Sequence, residues 1–343
     1  MGDAKRDIEI LESSDGAAWD AFVRGQPGWT AFHLASWRRV MERVFPHACR
    51  YLEARRAGSL VGVLPLVAVE SRLFGRYLVS MPFVNYGGPL GSPDAVAALA
   101  GAAVELARTR RSHLLELRSR APLPIDLEAS TRKITVALDL PDDSETLWND
   151  LKSKVRSQVR RPMKEGYETR FGTDQVAPFW SVFSRHMRDL GTPVQPERLF
   201  RAVAEEMGED AWFACVYDGE RPVAGGCGLA WADEIEMTWA SSLREYGRTA
   251  PNMLLYWAFM ERAIERGLRT FNFGRCTPGG GTHRFKSQWG GRDEPLHWYR
   301  VAEGRDATPS PDEGAFAWGP RIWRRLPLFV ANRLGPPVVR YIP

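Results

Sequence analysis

The chain has 343 residues, enough for two domains that each bury a core. An apolar content of 44% and a formal net charge of +4 exclude a disordered chain and give no case for a nucleic-acid-coating protein. No run of about 18 uncharged apolar residues occurs, so no membrane-spanning helix is expected. The first residues lack the apolar core of a secretory signal, and the expected location is therefore cytoplasmic. Cys49, Cys215, Cys227 and Cys276 have neither metal-ligand nor paired spacing, so they are expected to be reduced, buried thiols, with no metal bound.

In chain order, helices are expected over about 16–24 and 33–45. A hairpin at 51–69 follows, turning at Ala57-Gly58. Ser92-Pro93, with Asp94 in the first turn, opens a helix to about Arg110, and a strand runs over 113–118. A domain join is expected near Pro141-Asp142-Asp143. Beyond it a long basic helix over 143–165 is expected, with Ser144 as its cap, Leu147, Leu151, Val155 and Val159 as its apolar stripe, and Pro162 as the point where it kinks or ends. Helices at 173–190 and 195–207 lead to a second hairpin at 212–230, turning at Asp218-Gly219. A strand at 235–241, a helix at 251–266 stopped by Gly267, and a strand at 269–273 complete the set.

The order hairpin, strand, helix, strand thus occurs twice. Gly58 and Gly219, Pro93 and Pro251, and Leu114 and Thr270 hold matching places at nearly constant spacing. This reads as two copies of one α/β unit, spanning 1–140 and 141–303. From 304 to 314 the composition is that of a Pro/Asp/Gly linker, and Trp318 to Pro343 is apolar, basic and aromatic. Prolines 327, 336 and 337 favour a strap packed on the body, and a membrane-surface anchor is the alternative.

The stretches Tyr246–Trp257, Gly267–Gly274 and Gly281–Gly290 resemble the FemAB-type branch of the GNAT (Gcn5-related N-acetyltransferase) superfamily. The overall look is similar to members associated with exopolysaccharide and exosortase systems. The resemblance implies two tandem GNAT-like units with mixed central sheets flanked by helices. It also implies transfer of an acyl group, or secondarily an aminoacyl group, onto an amine of a saccharide or cell-envelope precursor. The enzyme expected is an acyltransferase for groups other than amino-acyl. The rivals are an aminoacyl-tRNA-dependent peptidoglycan bridge transferase and a non-catalytic envelope-assembly protein. The donor is expected to be acyl-CoA or aminoacyl-tRNA, and the acceptor a small-molecule or lipid-linked saccharide. The protein is expected to be a monomer, with tRNA and the inner membrane face as candidate partners.

By the same resemblance, Lys286 of the Phe285-Lys286 pair handles the transferred group or a phosphate. His33 and Trp37 match an acceptor-side helix, and Tyr86 precedes a pocket-like turn at Gly87-Gly88-Pro89; Leu90-Gly91 stand where an acidic residue is sometimes found, which counts against the cell-wall branch. The family's pyrophosphate loop, Arg/Gln-x-x-Gly-x-Gly/Ala, is matched only in part at Arg244, Gly247 and Thr249, with Asn252 at the start of the next helix. Chemically, attack of an amine on an acyl carbonyl requires a neutral amine, a stabilised oxyanion and alignment. A charged Lys286 suits stabilisation rather than base catalysis. His283 and Asp189 are the candidate bases, and Cys276 is a weaker candidate as a nucleophile. Arg156 and Arg160 offer charge to an anionic substrate, Arg275 lies in the lysine's own stretch, and Trp239 and Tyr256 are either pocket walls or core. Gly225, Gly226 and Gly228 are expected to let a donor chain approach the backbone.

Overall fold

The structure, a computed structural model, describes residues 8–71, 74–302 and 319–342. The strands and helices are, in order, β1 (Ile8–Glu12), α1 (Gly16–Arg24), α2 (Ala35–Val44), β2 (Ala48–Arg56), β3 (Ser59–Ser71), β4 (Gly75–Val79), β5 (Leu90–Gly91), α3 (Pro93–Thr109), β6 (Leu114–Ser119) and β7 (Ala129–Ser130). Then come β8 (Ile134–Asp139), α4 (Ser144–Asp150), α5 (Ser153–Lys164), β9 (Glu168–Phe171), α6 (Val176–Leu190), α7 (Glu197–Met207), β10 (Ala211–Asp218), β11 (Arg221–Trp231), β12 (Glu234–Ser242), α8 (Pro251–Glu265), β13 (Thr270–Cys276), α9 (Gly281–Ser287) and β14 (Arg292–Pro295). Last are β15 (His297–Ala302), α10 (Gly319–Trp323) and α11 (Leu328–Val339). The expected linker at 304–314 lies outside the described residues.

The chain folds as two units. The first sheet runs β1-β2-β3-β4-β6-β15-β7, with β5 on β3, and the second β14-β8-β13-β12-β11-β10-β9. The expected repeat is present in both. A hairpin and a third antiparallel strand lead through a helix to a parallel neighbour, β4 beside β6 in one unit and β12 beside β13 in the other. In each copy a glycine lets the helix approach the hairpin closely. A Cβ at Gly62 would lie 2.8 Å from the Ala95 Cβ, and one at Gly228 would lie 3.0 Å from Phe259.

The unit boundaries differ from the expected 140 and 303. β8 belongs to the second unit and pairs with β13, whereas β15, past the second unit in sequence, joins the first sheet between β6 and β7. The basic helix is also two helices. α4 ends at Asp150 and α5 restarts at Ser153, because Leu151 is extended at ψ 140. Asp143, not Ser144, caps α4 by accepting the Thr146 N–H at 2.7 Å. α5 continues past Pro162 to Lys164.

α8 is apolar nearly all round because it is sandwiched. Met253, Leu255, Phe259 and Met260 pack with Ile235, Met237, Phe271 and Phe273 of the sheet and with Val155 and Val159 of α5. In the first unit, Leu99, Ala100 and Ala103 of α3 pack with Leu64, Leu66, Leu78, Leu115 and Tyr299.

Candidate active site

The second sheet opens where its parallel strands part. β12 and β13 pair only from Glu234↔Thr270 to Glu236↔Asn272, although β12 continues to Ser242 and β13 to Cys276. Polar side chains mark this end of the ladder. Asn272 donates to Glu234 at 2.7 Å and accepts from the Gly274 N–H at 2.8 Å and from the Thr135 hydroxyl. Thr135, Glu236 and Asn272 are all fully buried. They alternate along their strands with Ile134, Ile235 and Phe271, which point to the α8 side, so one sheet face is apolar and the other carries this polar group. Sequence reading missed these residues; the alternation of glutamates with apolar residues in β12 was the available sign.

Lys286 sits at this opening and is buried, with 5% exposure. Its Nζ donates to the carbonyls of Gly274 at 2.7 Å and Arg275 at 2.9 Å. Successive carbonyls of a regular strand point in opposite directions. They converge here because the register slips between Asn272 and Arg275 and Gly274 takes φ 73, a conformation that favours glycine. Burial brings the Lys286 ammonium down to about 8, countered in part by the Cys276 thiol and the Glu236 carboxylate, while Arg275 pushes the same way as burial.

The other expected residues are placed as follows. The Nδ1 of His283 accepts the Gly279 N–H at 2.9 Å, and its Nε2 donates to Asp293 at 2.9 Å, so both ring nitrogens pin the glycine loop. Asp189, in the last turn of α6, forms an ion pair with Arg188 at 2.7 Å. On the same helix, the Nδ1 of His186 donates to the Ser242 carbonyl at 3.2 Å, which leaves Nε2 as an acceptor. Burial lowers the His186 imidazole below its usual value, with the bond to Ser242 and the Asp189 charge opposing. This histidine stands by the last residue of β12 and was not singled out from the sequence.

Tyr256 is core. It stacks on Phe273 at 5.6 Å and meets Phe285 edge-on at 5.0 Å, and burial pushes its hydroxyl up. Trp239 packs edge-on to Phe200 at 5.3 Å. Arg275 is exposed and contributes its carbonyl. Arg156 closes the gap between α4 and α5 by donating to Asn149 at 2.8 Å, and Arg160 lies over Trp148 at 4.9 Å. Cys276 is buried.

Two expectations need correction. Gly225, Gly226 and Gly228 do not leave room for a donor chain. The space beside them is filled by Phe179 of α6 and by Leu255 and Phe259 of α8. The segment from Arg244 is a tight turn rather than an open anion cradle. Gly247 N–H bonds the Arg244 carbonyl, Thr249 and Ala250 N–H both bond Tyr246, and Met253 N–H bonds Ala250. Asn252, second in α8, follows a proline that has no N–H.

In the first unit, His33, Tyr86, Gly88, Pro89, Arg118 and Arg120 line a cavity of about 210 Å³. Trp37 lies outside this lining, buried edge-on to Phe32 at 5.1 Å. The backbone around the cavity is strained, with Met81 at φ 63 and Phe83 at φ 70. Arg118 is buried and holds the loop by donating to Val84 at 2.8 Å and Met81 at 3.3 Å while paired with Glu116 at 2.7 Å. His33 accepts the Thr30 N–H at Nδ1 and donates from Nε2 to Gly88 at 3.0 Å, a pattern only the neutral ring can make. Burial lowers its pKa from 6.5 to about 4. The fold therefore resists a proton that the unfolded chain accepts. Stability is full above pH 6.5 and falls as pH drops toward 4, by about 2 kcal/mol at pH 5. Urea unfolding at pH 7.5 and pH 5 should give a smaller acid loss in His33→Asn; an equal loss would remove His33 as the cause.

Residues 152–287 match the family model of the acetyltransferase (GNAT) domain. Among solved structures, FemX superposes with a TM-score of 0.65 over 85% of this chain and 97% of its own, at 14% identity. The C-terminal domain of a putative lysylphosphatidylglycerol synthetase from Agrobacterium fabrum gives 0.57 over 85% and 92%, at 14% identity. A tandem GNAT protein from the clavulanic acid biosynthesis pathway gives 0.50 over 88% and 99%, also at 14% identity. At such identities the likeness is one of fold. No curated protein matches the chain in sequence.

Proposed function

We propose that this chain, whose residues 152–287 match the acetyltransferase (GNAT) domain model and whose fold is similar to that of FemX, transfers an acyl group from a thioester donor to an amine of a saccharide or cell-envelope precursor. The observation that carries the reading is the parting of β12 and β13 beside the buried ammonium of Lys286. Past Glu236, among the described residues, no strand pairs with β12 on the β13 side. A donor with an amide-bearing arm, such as acyl-CoA, can extend the ladder there as a strand would.

Each residue then has a role within that reading. Lys286 uses two of its three donors on carbonyls, and its charge stabilises the oxyanion that forms when the amine attacks. His186, neutral and with Nε2 as acceptor, takes the proton released by the amine, a role better suited to it than to the fully engaged His283. The lined cavity of the first unit, with Arg120 over the Tyr86 ring at 5.4 Å, offers a polar and aromatic wall of the kind that suits a saccharide. An aminoacyl donor is the second reading, supported by the likeness to a synthetase named for a lysyl product.

Amide hydrogen exchange tests the donor site. Acetyl-CoA should slow exchange over 238–243. Protection by aminoacyl-tRNA alone would favour the second reading, and protection by neither would remove the donor site from β12.

A further inference from the structure

The C-terminal segment carries a feature that acyl transfer does not use. Residues 319–343 contain five arginines and no acidic residue, while the whole chain has a net charge of only +4. Residues 319–339 are firmly seated in the second unit. α11 buries Ala331, Gly335 and Val339, and a Cβ on Gly335 would lie 2.9 Å from the Val194 amide. α10 rests on Gly191, where a Cβ would lie 2.5 Å from the Pro320 carbonyl. Arg188 donates to the Leu326 carbonyl at 3.1 Å, and Arg324 donates to that of Leu190 at 3.1 Å.

With the inner face so held, the outer face is apolar and cationic together. Phe329 is 75% exposed, Ile322 60%, Leu190 49% and Leu334 48%. These are four of the seven large apolar side chains exposed among the described residues, concentrated on one short segment and the helix end it covers. Arg321, Arg325 and Arg333 are exposed among them. On α11, Phe329 and Arg333 are one turn apart and opposite the buried stripe. Isolated exposed apolar residues need no explanation, but a cluster ringed by one sign of charge does.

We propose that this face is a docking surface for an anionic lipid bilayer. The arginines meet phospholipid headgroups, and Phe329, Ile322, Leu334 and Leu190 enter the headgroup–acyl boundary. No helix among the described residues is long and apolar enough to cross a membrane, so the contact is made in the plane of the surface. The exposed phenylalanine and isoleucine favour a lipid surface over a polyanion such as RNA, for which the arginines alone would serve.

Co-sedimentation of the full chain with vesicles tests this. The chain should partition onto phosphatidylcholine vesicles containing phosphatidylglycerol and not onto phosphatidylcholine alone. Ile322→Ser/Phe329→Ser should weaken partitioning by at least about tenfold, and Arg325→Glu/Arg333→Glu by about twentyfold or more. These side chains are exposed, so circular dichroism should show both variants folded. Lys286→Met should bind as the parent does, which separates docking from transfer. Equal binding to neutral and anionic vesicles would overturn the proposal, as would anionic binding that survives both double variants. Binding of tRNA that is indifferent to Ile322→Ser/Phe329→Ser, with no vesicle binding, would make the face an RNA site and overturn it equally.

Discussion

Replacing Lys286 by methionine should reduce transfer by about a hundredfold to a thousandfold while leaving the protein folded. The two halves of that expectation have different causes. The loss of activity comes from removing a buried positive charge aimed at the place where negative charge develops. The small change in stability comes from two opposing effects. Burial lowers the amine from 10.5 to about 8, so holding the charged form costs about 3 kcal/mol at neutral pH. That penalty is full below pH 8 and is relieved as pH rises toward 10.5, so the native lysine makes the fold more stable with rising pH in this window. Methionine removes the penalty but leaves the Gly274 and Arg275 carbonyls without their donor. The unfolding free energy should therefore stay within about 2 kcal/mol of the parent. The pH profile distinguishes a stabiliser from a base. If the charged amine is the active form, kcat/KM falls as pH passes 8; an increase through the same pH would make Lys286 the base.

Arg118→Met should have the largest effect on stability, a loss of about 3–5 kcal/mol. Arg118 is buried between Glu116, the strained loop carbonyls of Met81 and Val84, and the Trp298 ring, 4.4 Å from its guanidinium. Burial alone would raise the Glu116 carboxyl, but the charges of Arg118 and Arg300 outweigh it and hold the group below the usual carboxylate range. Its stability contribution is thus present above about pH 4.5 and is lost in acid. Removing Arg118 leaves the carboxylate with one partner and releases the loop that walls the cavity. The double variant Glu116→Leu/Arg118→Met should be more stable than Arg118→Met alone, because it no longer buries a poorly paired charge. Denaturant unfolding of both variants checks this, and a loss under about 1 kcal/mol in Arg118→Met would contradict the role given to the pair.

The repeat was legible because its signals are local. Ala57-Gly58 and Asp218-Gly219 turn hairpins, Pro93 and Pro251 open helices, and all four act within a few residues of themselves. The unit boundaries were not legible. β8 and β15 each join a sheet whose other strands lie far away in sequence, and no local pattern records which partner a strand finds. The same limit hid the Thr135, Glu234 and Asn272 group, since a polar residue in a strand reads as solvent-facing until the covering elements are known. Lys286 stood out through its neighbours, but α9 has only seven residues, too few for a periodicity that would reveal burial. The turn from Arg244 has the composition of an anion loop, yet the N–H groups of Gly247, Thr249 and Ala250 bond within the turn, and only backbone geometry reveals that.

Mass spectrometry of cell-envelope glycans and their precursors tests the central claim most directly, comparing cells that lack this protein with cells given back the parent or Lys286→Met. An acyl mass on an amine-bearing saccharide should vanish without the protein, return with the parent and stay absent with the variant. Unchanged masses in all three, or restoration by Lys286→Met, would contradict the account.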